Sequence, residues 1–347
     1  MKKVLITGGA GFIGSNLAEH YLSRGCHVIV FDNLSRPGGG AQKNSEYLMS
    51  KYKDNPSFTF VRGDIRNLSQ LQEVMKQVDV IFHVAAQTAM TTSIDDPMED
   101  FDINARGTLN VLEVARKSGS DVTMIYTSTN KVYGDLSRKM VKLTEKEKRW
   151  DFADEDCLEG IKEDYPLDFE GPYGCSKGNG DAYCLDYART YGLKTVVFRM
   201  SGIYGMGQYP TEDQGWVAWF IRRAMEGKPI TIYGDGKQVR DVLFITDLLN
   251  AFDKAIGNIE RTKGQAYNIG GGRVNSVSIL ELLEFMKKDL RIKPSEVSFS
   301  PWRLADQKVY ISDTEKANRE FGWEPMTRME EGIRRLHGWM KNYGNIV

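Results

Sequence analysis

Tyr173 and Lys177 are four residues apart in a segment whose pattern predicts a helix over residues 172–191, so their side chains share one helix face. A free tyrosine has a pKa of about 10 and is a poor base at neutral pH. A neighbouring ammonium favours the phenolate and lowers this pKa, which makes Tyr173 a candidate base for a substrate hydroxyl. The same spacing is common on exposed helix faces, so the pair needs support from the rest of the chain.

Hydroxyl side chains cluster at residues 126–129, where the fifth predicted strand ends. A third catalytic group placed there would bond the oxygen of a bound substrate, and Thr129 is the candidate for this role. Thr127 is better explained by the preference of threonine for strands. With a bound cofactor to accept the hydride, these residues can support oxidation of an alcohol carbon, because Tyr173 takes the hydroxyl proton while the hydride leaves the same carbon.

A glycine-rich segment over residues 7–14 follows the first predicted strand and opens the first predicted helix. Its glycines permit a tight turn and the close approach of a pyrophosphate, while the helix N-terminus offers unpaired N–H groups to that anion. This context predicts a dinucleotide site. The binding residues predicted in this turn are Gly8, Gly11, Phe12, Ile13 and Gly14.

Asp32 ends the second predicted strand. A carboxylate here can bond both ribose hydroxyls of an adenosine and repels a 2′-phosphate, so Asp32 and its neighbour Asn33 predict NAD rather than NADP. The same two residues also suit a plain turn, and Arg36 leaves some tolerance of NADP open. The positive nicotinamide of NAD would add to Lys177 in lowering the pKa of Tyr173, and Lys177 can also hold the nicotinamide ribose.

Two further strand ends complete the predicted cofactor site. Asp64 and Ile65 follow the third strand, where they can hold the adenine edge, although Asp64 is equally suited to be a helix N-cap. The small residues Ala85 and Ala86 and then Gln87 follow the fourth strand, where they let the cofactor lie across the carboxyl edge of the sheet. His83, within that strand, is predicted to be buried rather than catalytic.

Short β-rich runs alternate with helical patterns over the first 200 residues. This alternation predicts an α/β fold with a Rossmann-type, doubly wound parallel sheet. The predicted strands are residues 3–6, 27–31, 59–62, 80–84, 123–127 and 195–199. The predicted helices between them are residues 11–24, 69–76, 97–118 and 172–191.

After residue 200 the alternation loosens, and turn-rich segments join the predicted helices. These helices are residues 214–226, 245–257, 277–289 and 328–343. We predict an NAD-binding Rossmann domain over residues 1–200, with an insert at 135–171. A smaller C-terminal α/β lobe over residues 201–347 is expected to bind the substrate and to be partly interleaved with the first domain.

The composition excludes several classes of protein. The net charge of −1 shows no basic excess for nucleic acid, and no apolar stretch approaches the roughly 20 residues of a membrane span. Glycines interrupt the apolar segment near the N-terminus, so a cytoplasmic enzyme is predicted rather than a secreted one. The four cysteines form no CxxC pair, and therefore neither a disulfide framework nor a metal site is expected.

Several segments together resemble the NAD-dependent sugar epimerase/dehydratase family of extended short-chain dehydrogenases/reductases. They are residues 7–14, 128–135, the Tyr173/Lys177 pair, 240–242 with Asp247, and 267–270. The resemblance covers nearly the whole chain. It implies a Rossmann domain that carries NAD, with Asn104 among the cofactor contacts, and a C-terminal lobe that grips a nucleotide sugar.

The resemblance also narrows the reaction. In the 4,6-dehydratases of this family the catalytic threonine is followed by Asp-Glu, which supply the acid and base for water loss, whereas this chain has Asn130 and Lys131. Residues 128–135, 172–177, 204–220 and 236–242, and the long insert, are instead similar to the CDP-tyvelose epimerases, also called CDP-paratose 2-epimerases. The chain departs from many family members at Ser201-Gly202, where they carry Asn.

Such an enzyme would invert C2 of a nucleotide-linked hexose, a CDP-hexose being favoured. The resemblance implies that Tyr173 deprotonates the C2 hydroxyl, that a 2-keto intermediate turns in the site, and that NAD returns the hydride to the opposite face. Arg240 and Arg303 are expected to bind the diphosphate, because guanidinium forks suit phosphate oxygens, although each could be a surface ion pair. Tyr209 and Gln214 are expected to reach the sugar or base, or else to pack and cap a helix.

Two other functions stay open. One is a UDP-hexose 4-epimerase of the same family, which product stereochemistry would distinguish. The other is an NAD-binding regulatory protein without catalysis, against which the intact Thr129, Tyr173 and Lys177 argue. The resemblance also implies a homodimer or homotetramer.

Overall fold

Runs of Val, Ile and Phe form short strands in a computed structural model that describes residues 2–119, 121–136, 141–304 and 306–343. In chain order the strands are β1 (Lys3–Thr7), β2 (His27–Asp32), β3 (Phe58–Arg62), β4 (Val80–His83), β5 (Thr123–Thr129), β6 (Leu143–Glu145), β7 (Trp150–Phe152), β8 (Lys194–Met200), β9 (Gly202–Tyr204), β10 (Ile230–Tyr233), β11 (Val239–Phe244), β12 (Gln265–Ile269), β13 (Ser276–Ser278), β14 (Val297–Ser300) and β15 (Val309–Tyr310). Over the described ranges, seven of them form one parallel sheet in the order β12-β8-β5-β4-β1-β2-β3. The predicted doubly wound α/β fold is confirmed.

The helices cover both faces of this sheet. They are α1 (Phe12–Leu22), α2 (Gly40–Lys51), α3 (Leu68–Val74), α4 (Met90–Asp95), α5 (Pro97–Phe101), α6 (Gly107–Lys117), α7 (Gly171–Tyr191), α8 (Trp216–Met225), α9 (Ile245–Gly257), α10 (Ile259–Thr262), α11 (Ile279–Phe285), α12 (Glu315–Phe321) and α13 (Met329–Tyr343). Val4 and Ile6 of β1 share a core with α1, α2 and α9, while Leu5 shares a second core with α3, α6 and α7. Because both faces are covered, the strands are apolar on both sides.

The order of the strands places a crevice beside β1. The chain runs outward from β1 to β3 and then crosses back to β4 on the other side of β1, so the direction of winding reverses there. Thr7 and His83, the last residues of β1 and β4, are paired in register. Ligands of open α/β sheets bind at the carboxyl ends of the strands at such a point.

Several elements differ from the sequence-based expectation, and three of the differences concern helices with a local cause. Helix α2 was not predicted, because Gly38 and Gly39 before it and Gly40 at its start are typical of a loop. The predicted helix 277–289 begins only at Ile279, after the short strand β13, and ends in a π-helical turn at Met286–Leu290. The predicted helix 97–118 is divided into α5 and α6 by a π-helical turn at Asp102–Arg106.

The second half of the chain contributes both to the main sheet and to a smaller body. Strand β12 adds an edge to the main sheet, while β9, β11, β13 and β15 form a separate four-stranded sheet within the described residues. The predicted insert 135–171, of which residues 137–140 lie outside the described residues, packs on this smaller body. Ile161 N–H donates to Ile311 O at 2.8 Å, and Trp150 N–H donates to Lys237 O at 2.8 Å. The domain limits at 1–200 and 201–347 stay a prediction.

Two properties concern membranes and metals. In the part of the chain that the structure describes, no helix combines the length and the apolar character needed to cross a membrane. Among the same described residues, no group of three or more His, Cys, Asp or Glu side chains could hold a metal ion.

Candidate active site

The turn between β1 and α1 is shaped by its glycines. Gly8 has a φ of 70°, and a Cβ placed on it would lie 2.6 Å from Ala85 Cα. A Cβ on Gly14 would lie 2.3 Å from the carbonyl oxygen of Gly8. No side chain fits at either position. Within the turn, Gly8 N–H and Gly11 N–H already bond to backbone carbonyls, so the N–H groups of the first turn of α1 are the ones left for an anion. The residues fit the predicted pyrophosphate site.

Asp32 ties this turn to the loop after β2. Its carboxylate accepts hydrogen bonds from Ala10 N–H at 3.0 Å and from Leu34 N–H at 2.8 Å. Burial raises the pKa of Asp32, although these two N–H groups oppose the rise. Asp32 therefore stands at the edge of the glycine turn, where an adenosine ribose would lie beside the pyrophosphate.

Asp64 and Asn33 lie next to each other at the neighbouring strand ends. Asn33 Nδ2 donates to Asp64 Oδ2 at 2.9 Å, and Arg66 donates to the same carboxylate from Nε and from its terminal nitrogen. Burial favours a raised pKa for Asp64, but the hydrogen bonds from Arg66 outweigh it and lower the pKa to about 2. The N-cap of α3 is Asn67, so the alternative N-cap role of Asp64 is wrong.

Asn104 fastens the loop after β4 to helix α7. Asn104 Oδ1 accepts from Gln87 N–H at 2.9 Å, and Asn104 Nδ2 lies 3.0 Å from Gln87 O, 3.0 Å from Asp100 Oδ1 and 3.1 Å from Ser176 Oγ. Asn104 and Asp100 are both fully buried. This network fixes the loop that contains Ala85 and Ala86 relative to the helix that carries Tyr173. Ile65 is also buried, against Gly107.

Tyr173 and Thr129 line the same crevice at the end of β5. Burial raises the pKa of Tyr173 to about 12, and the neighbouring hydroxyl of Thr129 opposes the rise. This direction contradicts the sequence-based expectation of a lowered pKa, because desolvation of the phenolate outweighs every nearby protein group. The positive nicotinamide ring of the predicted cofactor would oppose this rise.

Lys177 is buried one helical turn after Tyr173. Its Nζ lies 4.2 Å from the centroid of the Tyr126 ring, and Tyr126 OH donates to Lys177 O at 3.1 Å. Burial lowers the pKa of Lys177 to about 7, although Cys184, Asp181 and Asp100 act against it. His83 is fully buried between the hydroxyls of Thr7 and Thr108.

A cavity opens beside Thr129 and Tyr173. Its walls include Thr88, Ser201, Gln214 and Trp216, together with Phe12 and Ile13 of the predicted cofactor site. The Ser201 hydroxyl donates to Asp241 O at 2.9 Å, and a Cβ on Gly202 would lie 3.8 Å from Trp216 Nε1. This part of the cavity wall is therefore formed by a short serine, a glycine and the Trp216 ring.

Of the four predicted substrate residues besides Thr129, one lines the cavity and three lie outside its wall. Gln214 lines the cavity, whereas Tyr209 packs against Trp339 with ring centroids 5.8 Å apart. Arg240 pairs with Asp306 at 2.6 Å, and Arg303 pairs with Asp213 at 2.9 Å while its guanidinium lies 4.0 Å from the centroid of the Tyr233 ring. Neither arginine lies in the cavity wall, and their diphosphate contacts stay predictions, as does the substrate contact of Tyr209.

Asn130 lines the cavity and also contacts the second lobe, and Lys131 faces that lobe. Asn130 Nδ2 donates to Gln307 Oε1 at 3.3 Å, and Lys131 Nζ lies 3.4 Å from Asp306 Oδ1. Although burial favours a raised pKa for Asp306, Arg240 and Lys131 hold it below its usual range. Burial also lowers the pKa of Lys131. An amide and a buried ion cluster therefore occupy the positions where dehydratases carry an acid and a base.

Several supporting residues were missed from the sequence. Asp100, Ser176, Asp181 and Trp216 have no motif of their own, although Asp181 is four residues after Lys177, on the same face of α7. That spacing is the one signal that could have singled out Asp181.

Known proteins share both the sequence and the fold. Residues 4–270 match the family model described as the NAD dependent epimerase/dehydratase family. The chain is 46% identical over 344 residues to CDP-paratose 2-epimerase of Salmonella typhi, covering 97% of this chain and 98% of that protein. UDP-glucose 4-epimerase of Thermotoga maritima with UDP-glucose superposes with a TM-score of 0.82 at 29% identity, covering 98% of this chain and 99% of that one.

A third relative was solved with a cofactor. UDP-glucuronic acid 4-epimerase of Bacillus cereus, in complex with UDP-glucuronic acid and NAD, superposes with a TM-score of 0.82 at 27% identity. The match covers 98% of this chain and 99% of that one.

Proposed function

The chain belongs to the NAD dependent epimerase/dehydratase family, and we propose that it is a nucleotide-sugar 2-epimerase acting on a CDP-linked dideoxyhexose of the CDP-paratose type. The observation that carries this proposal is the 46% identity to CDP-paratose 2-epimerase along nearly the whole of both chains. The cavity beside Thr129 and Tyr173 is the place where the sugar would react.

NAD is the cofactor, and the described residues fit it. The first turn of α1 would offer its N–H groups to the pyrophosphate, Asp32 at the edge of the glycine turn would bond the adenosine ribose, and the buried Lys177 would hold the nicotinamide ribose. When bound, NAD accepts the C2 hydride and returns it to the opposite face, so that the sugar passes through a 2-keto stage.

Tyr173 and Thr129 handle the proton of the sugar hydroxyl. Thr129 positions the substrate oxygen and Tyr173 takes its proton, then gives it back after the ketone has turned, so that one residue serves as base and then as acid. Lys177, when protonated, supports the phenolate from the same helix. Thr129 and Lys177 are buried and Tyr173 is partly buried, which limits access of water to the reacting carbon.

The environment of Asn130 and Lys131 argues against loss of water. The amide of Asn130 bonds to Gln307, and the ammonium of Lys131 is paired with Asp306. A carboxamide acts neither as an acid nor as a base at neutral pH, and the ammonium of Lys131 is held in an ion pair. Epimerisation needs neither group as acid or base, whereas dehydration needs both.

The decisive experiment is proton NMR of the purified protein with CDP-paratose in D₂O buffer, without added cofactor. We expect C2 to invert and to keep its original hydrogen, since tightly held NAD returns the same hydride. Inversion with deuterium uptake at C2 would contradict the proposed chemistry. If nothing changes even with added NAD, the substrate assignment is wrong, and UDP-hexoses should then be tested for inversion at C4.

The assembly and location are also proposals. Met98 and Phe101 of α5 are large apolar side chains that are 71% and 50% exposed, which supports a homodimer or homotetramer. Light scattering coupled to gel filtration would measure the mass, and a monomer would contradict this proposal. The cytoplasm stays the location predicted from the sequence.

A further inference from the structure

Three side chains from distant parts of the sequence form a continuous chain across the site. The Arg36 guanidinium donates a hydrogen bond to Gln214 Oε1, and Gln214 Nε2 donates to the hydroxyl of Thr88. Arg36 lies in the loop that follows Asp32, which is the last residue of β2 and is predicted to bind the ribose. Thr88 follows β4, and Gln214 belongs to the second half of the chain. The adenosine end and the sugar end of the site are thus joined.

Only one end of this hydrogen-bonded chain reaches the cavity beside Thr129 and Tyr173. Gln214 and Thr88 line the cavity together with Thr129 and Tyr173, whereas Arg36 does not. The two contacts fix which way the amide of Gln214 points, because its oxygen faces Arg36 and its NH₂ group faces Thr88. One amide hydrogen remains available to a ligand in the cavity.

The segment that carries Gln214 is docked on the cofactor-binding half along its length. Asn16 Nδ2 donates to Met206 O at 2.9 Å, and Asn44 Nδ2 donates to Gly207 O at 3.2 Å. A Cβ on Gly40 would lie 2.9 Å from Tyr209 Cβ, and a Cβ on Gly38 would lie 3.1 Å from Thr211 Cγ2. We call residues 206–214 the clasp segment, because it lies against the loop and helix that follow Asp32.

We infer that Arg36 is a positioning residue that holds the clasp segment closed over the cofactor-binding loop, which slows the release of NAD and sets Gln214 in the wall of the sugar cavity. The inference rests on the proposed function, in which no net oxidation occurs and NAD has no need to leave between turnovers. Opening the loop after Asp32 requires the bond between Arg36 and Gln214 to break, together with the backbone contacts of Asn16 and Asn44.

The hydrogen bond between Arg36 and Gln214 can be removed from either side. Arg36→Ala and Gln214→Ala both remove the bond that closes the loop, so each should speed NAD dissociation by about tenfold or more, the effect of one hydrogen bond to a charged group. The double variant should lose NAD no faster than either single variant, since both remove the same contact. The readouts are the NAD content of the purified protein and the rate of NAD release after dilution.

Two variants separate the contact between Gln214 and Arg36, on the cofactor side, from the contact between Gln214 and Thr88, on the sugar side. Gln214→Glu keeps an acceptor for Arg36 but loses the donor to Thr88, so NAD should be retained while the KM for the sugar nucleotide rises. Thr88→Val, which is similar in shape, should do the same. Arg222→Ala removes an arginine from an exposed pair on α8 and serves as the control. Added NAD should restore the kcat of Arg36→Ala.

Several results would overturn the inference. They are a wild-type protein that loses NAD during purification, unchanged NAD release in both alanine variants, and rapid NAD loss from Gln214→Glu. Gln214→Glu decides the matter even if the alanine variants fold poorly, because it preserves the contact. NAD release is measured without any sugar, so this outcome is independent of whether CDP-paratose is the substrate.

Discussion

The carboxylate of Asp181 and the guanidinium of Arg199 form a buried two-point ion pair that also receives the hydroxyl of Ser128. Arg199 Nε lies 2.9 Å from Asp181 Oδ2, its terminal nitrogen lies 3.1 Å from Oδ1, and Ser128 Oγ lies 2.8 Å from Oδ2. Asp181 is on α7 with Tyr173, and Ser128 precedes Thr129 on β5. The pair therefore fixes the helix of the base relative to the strand of the hydroxyl.

We expect Asp181→Ala to lower the free energy of unfolding by about 3–5 kcal/mol, because it leaves a buried guanidinium without its charge partner. Urea unfolding followed by circular dichroism measures the change. Glu73→Ala, which removes an exposed pair with Lys76, is the control and should cost less than about 1 kcal/mol. If both variants lowered the free energy of unfolding by the same amount, the buried pair of Asp181 would stabilise the protein no more than an exposed pair does.

We expect Tyr173→Phe to lower kcat by about 10²–10⁴-fold, because the ring remains while the group that transfers the proton is lost. NAD content and the binding of the sugar nucleotide should hardly change. Tyr183→Phe, at an exposed tyrosine of the same helix, is the matched control and should keep full activity. A Tyr173→Phe variant that still turns over at the wild-type rate would rule out its assigned role.

Thr129 can be tested by the presence or absence of its hydroxyl. Thr129→Val keeps the shape of the side chain but removes the hydroxyl that would bond the substrate oxygen and that now bonds Asn130 Oδ1 and Lys131 N–H, so kcat should fall by about 10²-fold. Thr129→Ser keeps the hydroxyl and should retain most of the activity. Similar kcat values for the valine and serine variants would speak against a role for the hydroxyl.

The buried Lys177 should make stability depend on pH. Burial lowers its pKa to about 7, while in the unfolded chain the pKa is about 10.4. Between these values the unfolded chain binds more protons at this site, so Lys177 makes the free energy of unfolding rise as the pH increases. The destabilisation that buried Lys177 causes is therefore largest below pH 7 and is lost above about pH 10.

Lys177→Met removes this penalty in the cofactor-free protein. The variant should therefore exceed the wild type in stability most at about pH 7, and the difference should shrink toward about pH 10. Urea unfolding of both proteins across this range gives the difference, in which other titrating groups cancel. The exposed Lys288→Met is the control. Parallel curves for Lys177→Met and the wild type would mean that Lys177 is not desolvated.

The parts of the molecule that follow local rules could be predicted from the sequence. The glycine turn, the strands around it and the helix of Tyr173 and Lys177 each have a short-range pattern, and the sheet was predicted in its correct class. The bond between Arg36 and Gln214 joins residues 178 positions apart, and no local pattern indicates it. The upward shift of the Tyr173 pKa also depends on burial, which only the packed structure gives.

Strand β12 was missed for a related reason. Its sequence QAYNI contains two polar residues in five, so it lacks the apolar run of the other strands, and its neighbour β8 ends 65 positions earlier in the chain. The polar Asn268 is satisfied by Tyr133 and Ile161, both from the first half of the chain. A strand of this kind is defined by partners that sequence periodicity does not reveal.

The late arrival of β12 also matters while the ribosome is still making the protein. Strand β8 leaves the exit tunnel with β5 available on one side, but its other edge stays bare until synthesis has passed Ile269. An uncovered strand edge is a template for pairing with a second nascent chain. The speed of translation through residues 201–264 therefore sets how long each new molecule is exposed to misassembly on a polysome.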